Sequence, residues 1–336
     1  MSSTITLKSD VILGVVPTHI KFVGGLVPDD DGKLPRDDHG TLIVVSEMAH
    51  LCQASPVKIG AVQISTFPGV AASDTDDMIS GLRELDLEIH IIMMVGGANP
   101  LNPADEDKVV ELLSDGINTA KKYGITNVAS TSFEEWMSGA PAKEGAEYDA
   151  AVEQLAKVHA RVYNDCNIAD SCIEHWHLEF LRGIEFATFT NIPKAWKVIE
   201  RANQIVGSKF FLLMVDAAHC GDSGLTIPEN EAAIAELAAA NEMGLFHASA
   251  KTTRGCLTTD DGWIGALLAS AAKTGQLKHA FVELFHHEDV ALETLRDAVD
   301  GHGVDTTDGR SYSEVVIDGL VDVGRRLNNL KARGLL

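Results

Sequence analysis

Nucleotide cradles, thiolate clusters and basic patches are all missing from this chain. No Gly-x-Gly-x-x-Gly follows the first apolar run and no Gly-x-x-x-x-Gly-Lys-Ser/Thr occurs anywhere, so the usual backbone cradles for dinucleotides and nucleoside triphosphates are absent. Gly24-Gly25 and Gly96-Gly97 are isolated pairs and read as loop glycines. The cysteines, Cys52, Cys166, Cys172, Cys220 and Cys256, are odd in number and form no Cys-x-x-Cys. That pattern reads as reduced thiols, not as a disulfide framework or a zinc site. Positive charge is short as well: 27 Lys and Arg face 49 Asp and Glu, a formal net charge of −22 with no basic cluster. Nucleic acid and anionic membrane surfaces are therefore excluded as expected partners. No apolar stretch reaches the length of a membrane span. The segment MSSTITLKSD has no charged start followed by an apolar run, so a cytoplasmic protein is the expectation.

What the chain does contain is a regular alternation. Short apolar runs stand at Val11–Val16, Ile59–Ser65, Leu87–Val95, Thr126–Ser130, His175–Phe180, Phe210–Val215, Gly244–Ala248 and His279–Leu284. Such runs suit strands buried on both faces. Segments with apolar residues at helical spacing lie between most of them, at Asp105–Tyr123, Tyr148–Asn164, Pro193–Val206, Glu229–Asn241 and Trp263–Thr274. Two carry helix-start chemistry: Asn191-Ile192-Pro193 offers a cap followed by proline, and Pro228 precedes an acidic first turn. Asp289–Asp297 and Ser313–Leu330 read as two closing helices. Strict alternation implies a parallel sheet, and eight strands in a chain of 336 residues favour a closed (β/α)8 barrel, an α/β TIM barrel, over an open sheet. We expect one domain over residues 1–336, with a barrel core of about 10–300 and a helical extension at 301–336. Long loops follow the first and fourth strands, Phe22–His39 and Ser132–Glu147, on the face where barrel active sites lie.

Four polar residues close or punctuate the last four apolar runs: Glu179 in HWHLEF, Asp216 in FFLLMVDAAH, His247 in MGLFHASA and Glu283 in HAFVELF. Their intervals of 37, 31 and 36 residues each match one strand–loop–helix–loop unit. A barrel would therefore bring the four together around one axis. A carboxylate bracketed by Leu178 and Phe180, or closing a run such as FFLLMV, is costly unless it has a partner. Three carboxylates and one imidazole suit a divalent ion with hard-oxygen preference: Mn2+ first, with Mg2+ or Co2+ as alternatives. Alternation along the strand puts His175, His177 and Glu179 on one face and sends Trp176 and Leu178 the other way.

The order Glu, Asp, His, Glu at the ends of strands five to eight resembles the xylose-isomerase-like barrel superfamily, and within it the ketose 3-epimerases. Their Leu-Glu with a second Glu six residues later is matched by Leu178-Glu179 and Glu185 in LEFLRGIEF. Their Asp-x-x-His is matched by Asp216 and His219, and the metal-binding His and final Glu by His247 and Glu283. The family's arginine six residues after the His meets Thr253 here, with Arg254 one step later. The specific motifs occupy Glu179 to Glu283, and the first half of the chain carries none of them.

The resemblance implies a metal-dependent isomerase or epimerase of a ketose or keto-sugar, working through a stabilised enediolate. Glu179 and Glu283 would be the acid/base pair as well as ligands, with Asp216 and His247 completing the metal set. Glu185, His219 and Arg254 would hold the substrate's hydroxyls and carbonyl. His19, just beyond the first strand, is a further candidate for the pocket, and His287 reads as a helix start. His177 stays open between a core histidine and an extra general base. The base role goes with a second reading, a lyase of the same superfamily that cleaves 3-keto-sugar C-glycosides or decarboxylates oxo sugar acids. A third, a nucleic-acid-cleaving metal barrel, is opposed by the net charge of −22. The expected partners are a small carbohydrate substrate and further copies of this chain, as a dimer or tetramer.

Overall fold

The computed structural model describes residues 4–17, 26–66, 68–250, 262–284, 293–298 and 310–336. Eight parallel strands close into a barrel in sequence order: β1 (Ile12–Val16), β2 (Ala61–Ser65), β3 (Glu88–Met94), β4 (Asn127–Thr131), β5 (His175–Leu178), β6 (Phe211–Asp216), β7 (Met243–Ala248) and β8 (His279–Glu283). The helices are α1 (Ile43–Ala54), α2 (Ala72–Glu84), α3 (Glu106–Tyr123), α4 (Gly145–Asp165), α5 (Ile192–Val206), α6 (Ala217–Gly221), α7 (Ile227–Ala239), α8 (Trp263–Lys273), α9 (Glu293–Ala298) and α10 (Tyr312–Ala332). This is the (β/α)8 architecture expected from the alternation, and each of the eight apolar runs overlaps one strand. No helix among the described residues is long and apolar enough to cross a membrane. Contacts divide the chain into two compact units, Met1–Ile89 with Phe246–Leu336, and His90–Leu245.

In the first unit β1 lies between β8 and β2. Gly14 pairs with both Phe281 and Ala61, Val15 with Val282 and Val62, and Val16 with Glu283. Gly14 is required by close approach, because a Cβ there would stand 2.5 Å from the Phe281 ring. The aromatic side chain thus occupies the space that the glycine leaves beside β1. Outside, α10 starts with a capping box, Ser311 to the Glu314 amide and Glu314 back to the Ser311 amide, and buries Val315, Val316, Leu320, Val323 and Leu327. Asn328 on the same helix pins the N-terminal segment, accepting from the Lys8 amide at 2.7 Å and donating to the Thr6 carbonyl at 2.9 Å.

The second unit follows the same logic with more polar bracing. The Asn191 side chain caps α5 by accepting from the Lys194 amide at 3.0 Å, with Pro193 in the first turn, as that tripeptide foretold. The acidic turn after Thr226 is a capping box with Glu229. Behind the sheet, Glu242 is fully buried and accepts from Trp196 Nε1 at 2.6 Å, Asn203 Nδ2 at 2.9 Å and Lys209 Nζ at 2.6 Å. His159 on α4 ends a buried chain whose polarity follows from its ends. The Leu155 carbonyl can only accept, so His159 Nδ1 donates to it at 2.7 Å. Nε2 of the neutral ring then accepts from the Ser132 hydroxyl at 2.7 Å, Ser132 accepts from Ser130 at 2.7 Å, and Ser130 accepts from Trp176 Nε1 at 2.9 Å.

Helices α1 and α2 complete the alternation after β1 and β2, where no helical segment was singled out. The helix expected at Asp289–Asp297 overlaps α9, and its first part falls outside the described residues. Cys52, Cys166, Cys172 and Cys220 are free thiols, and Cys256 is not among the described residues. Burial pushes the Cys220 thiol well up, with the nearby Asp216 carboxylate adding to the rise, so it sits as a protonated core residue.

Candidate active site

Glu179 is the residue after β5, where the strand has ended but the ladder has not: its amide donates to the Ser130 carbonyl at 3.0 Å. That bond fixes the buried carboxylate at the C-terminal end of the strand. Asp216 ends β6 and at once caps the short α6, its Oδ1 accepting from the His219 amide at 2.8 Å. The Asp-x-x-His spacing is therefore a helix cap, which turns the imidazole back toward the strand ends. His219 Nδ1 lies 3.4 Å from Glu179 Oε1 and 3.9 Å from Asp216 Oδ1. In the other unit His247 lies within β7 and Glu283 ends β8, both buried, with Nδ1 3.5 Å from Oε2.

One ligand atom from each of Glu179, Asp216, His247 and Glu283 lies within 4.8 Å of the others. Ligands about 2.0–2.3 Å from a shared ion stand roughly 3–4.5 Å apart, so the span is only slightly wider than a coordination sphere. Three buried carboxylates this close raise one another's free energy, and a divalent cation reverses the sign of that field. With no thiolate among the donors, the set favours an oxygen-seeking ion over a structural zinc. On donor chemistry and spacing, these residues fit a divalent metal.

His177 lies two residues before Glu179, on the same face of β5 as His175, whose ring centroid is 6.1 Å away. Its Nε2 meets Asn127 Oδ1, at the first residue of β4, at 3.1 Å. Gly244 passes beside the ring so closely that a Cβ would stand 2.7 Å from Nδ1. The imidazole is thus packed toward the strand starts, the direction away from Glu179.

Glu185 is already engaged. Oε1 accepts from Trp136 Nε1 at 3.1 Å and Oε2 from Arg182 Nε at 3.2 Å, while Arg182 Nη1 reaches Asp222 Oδ2 at 3.2 Å. Arg182 is buried, so this bridge ties the loop after β5 to the loop after α6. Sequence reading did not single out Arg182, Trp136 or Asp222, although Arg182 stands inside the quoted LEFLRGIEF. The long loop after β4 is held by a second device: Glu134 accepts from the backbone amides of Ala187, Thr188 and Phe189 at 3.1, 2.8 and 2.7 Å. His19 and Arg254 lie outside the described residues.

No protein-family model matches the chain, and no curated protein matches it in sequence. Solved structures do match in shape. An L-ribulose 3-epimerase superposes with a TM-score of 0.71 at 16% identity, covering 96% of this chain and 97% of that one. A D-allulose 3-epimerase from Methylomonas sp., in complex with D-allulose, gives 0.70 at 14% identity, covering 96% and 99%. A putative sugar phosphate isomerase/epimerase from Anabaena variabilis gives 0.73 at 14% identity, covering 95% and 99%. The fold is that of these barrels over nearly the whole chain, in agreement with the xylose-isomerase-like resemblance.

Proposed function

We propose that this chain is a divalent-metal-dependent isomerase or epimerase of a ketose or related keto-sugar. The observation that carries the proposal is the buried grouping of Glu179, Asp216, His247 and Glu283. The likeness in shape to ketose 3-epimerases supports it. Mn2+ is our first choice of ion, with Mg2+ or Co2+ as substitutes; such an ion supplies positive charge where a proton is removed beside a carbonyl. The chain's own part is proton transfer and orientation. Glu179 and Glu283 act as the acid/base pair, one taking the proton from the substrate carbon and the other returning one. The His219 imidazole, 3.4 Å from Glu179, can donate to a substrate oxygen beside that carboxylate. Glu185, held by Trp136 and Arg182, offers remaining lone pairs to sugar hydroxyls. His177 remains a wall residue in this scheme. We also propose a homo-oligomeric, cytoplasmic enzyme.

A lyase using the same four residues is the alternative, and product mass separates the two. Ketoses and 3-keto-glycosides are incubated in heavy water with metal-loaded protein. An epimerase conserves the substrate's carbon skeleton and adds one deuterium at the inverted carbon. Release of a second fragment would replace this reading with the lyase, and no conversion of any ketose would reject it.

A further inference from the structure

Gln63 is a buried amide with neither polar atom satisfied. It lies in the middle of β2, at 0% exposure, and neither Nε2 nor Oε1 has a hydrogen-bond partner among the described residues. Two other buried amides, Asn203 and Asn127, use both of their polar atoms. Asn203 donates to the Phe211 carbonyl and to Glu242 and accepts from two backbone amides. Asn127 donates to Thr126 and accepts from His177. Burying a donor or an acceptor without a partner is destabilising. A side chain of that cost in a core strand calls for a partner that arrives later.

The register shows where Gln63 faces. Val15 of β1 pairs with Val62 on one side and Val282 on the other, so Gln63 and Glu283 are the next residues along their strands at the same level. Gly14 pairs with Ala61 and Phe281, and a Cβ at Gly14 would stand 2.5 Å from the Phe281 ring, on the face where Glu283 joins the grouping with Asp216 and His247, which makes it the inner one. Side chains alternate, so Ala61 and Gln63 share that inner face with Phe281 and Glu283. The amide is therefore presented to the barrel interior in the layer of a proposed acid/base carboxylate.

We infer that Gln63 is a substrate-binding residue that determines specificity by pairing with vicinal hydroxyls of the sugar. Nε2 donates to one oxygen and Oε1 accepts from the neighbouring O–H, the pattern a diol offers and a purely apolar ligand cannot. The inference rests on the proposed function and deepens it: a residue from the first half of the chain, which carries none of the recognised motifs, selects the substrate. A site built to hydrogen-bond a hydroxyl rejects analogues lacking it, because its own polar groups are then left buried and unsatisfied.

The test compares wild type with Gln63→Met, which keeps the length and removes both polar atoms. Three quantities are read: unfolding stability without ligand, Mn2+ affinity, and KM against kcat for a ketose and for ketoses lacking one hydroxyl each. We expect ligand-free stability equal to or above wild type, unchanged Mn2+ affinity, and KM raised roughly 10- to 100-fold, as for lost hydrogen bonds. For one deoxy-ketose the KM gap between wild type and variant should shrink severalfold. Loss of stability with unchanged KM would overturn the inference and make Gln63 a structural residue. An equal KM gap for every deoxy-ketose would overturn the hydroxyl contact. A wild type that neither binds nor converts any ketose overturns the functional reading and the sugar with it, whereas a wild type that converts ketoses with Gln63→Met unchanged overturns this inference alone.

Discussion

Two groups of buried carboxylates in the unit His90–Leu245 show what burial alone does and does not mean. Glu242 is surrounded by donors from Trp196, Asn203 and Lys209, and Glu134 by three consecutive backbone amides. Each is a closed arrangement in which negative charge is matched by N–H groups. Glu179 and Asp216 are as deeply buried, yet they stand in the grouping that includes a third carboxylate and an imidazole. Like charges gathered together are the arrangement a structural role avoids and a metal site requires. What surrounds an acid, more than how deep it lies, separates brace from site.

Substitution at the two groups should break the comparison in opposite ways. The largest effect belongs to the proposed acid/base pair: Glu179→Gln or Glu283→Gln should lower turnover roughly 10²- to 10⁴-fold while the fold stays intact. EDTA should abolish activity, and Mn2+ or Co2+ should restore it. Full turnover in metal-stripped protein would end the metal account. Glu242→Leu should do the reverse. Leaving the Trp196 and Asn203 donors without an acceptor costs about 2–4 kcal/mol in chemical denaturation, with kcat of the folded protein unchanged.

His159 gives the pH dependence its sign. Burial lowers its pKa from 6.5 to about 4, so between those values the unfolded chain binds a proton that the folded one refuses. Stability from this group is complete above pH 6.5 and is lost as the pH falls toward 4, a change of about 3 kcal/mol. His159→Gln should flatten the stability profile in that window relative to wild type; superimposable profiles would contradict the neutral buried ring. The smallest effect is at His177. His177→Gln disturbs the bond to Asn127 and should cost about 1–3 kcal/mol with near-normal turnover. A fall of roughly 10²-fold or more in turnover at unchanged stability would make it a base and favour the lyase.

The strands and the grouping of Glu179, Asp216, His247 and Glu283 were legible in the sequence for one physical reason. Strands buried on both faces are almost uniformly apolar, so a Glu or Asp closing such a run stands out, and its spacing then reveals the βα repeat. Strand ends shifted by a residue or two, since pairing with neighbours, unseen in one sequence, decides where a strand stops. The five-residue α6 is too short to show a period, but its cap was visible as Asp216-x-x-His219. Helix α2, ASDTDDMISGLRE, is so acidic that its apolar face is only Met78, Ile79 and Leu82. Pairings were the hidden part. Trp136 reaches Glu185 across 49 residues and Arg182 reaches Asp222 across 40, separations that no local pattern encodes. Gln63 was passed over because one polar residue within an apolar run resembles ordinary alternation.

The central claim is that the four buried residues bind one divalent ion, and a calorimetric Mn2+ titration of metal-stripped wild type beside Asp216→Asn tests it most directly. The account predicts saturable binding of one ion per chain in wild type and affinity at least roughly 10-fold weaker in the variant, with the fold retained. No saturable binding in wild type, or superimposable isotherms for the two proteins, would contradict it.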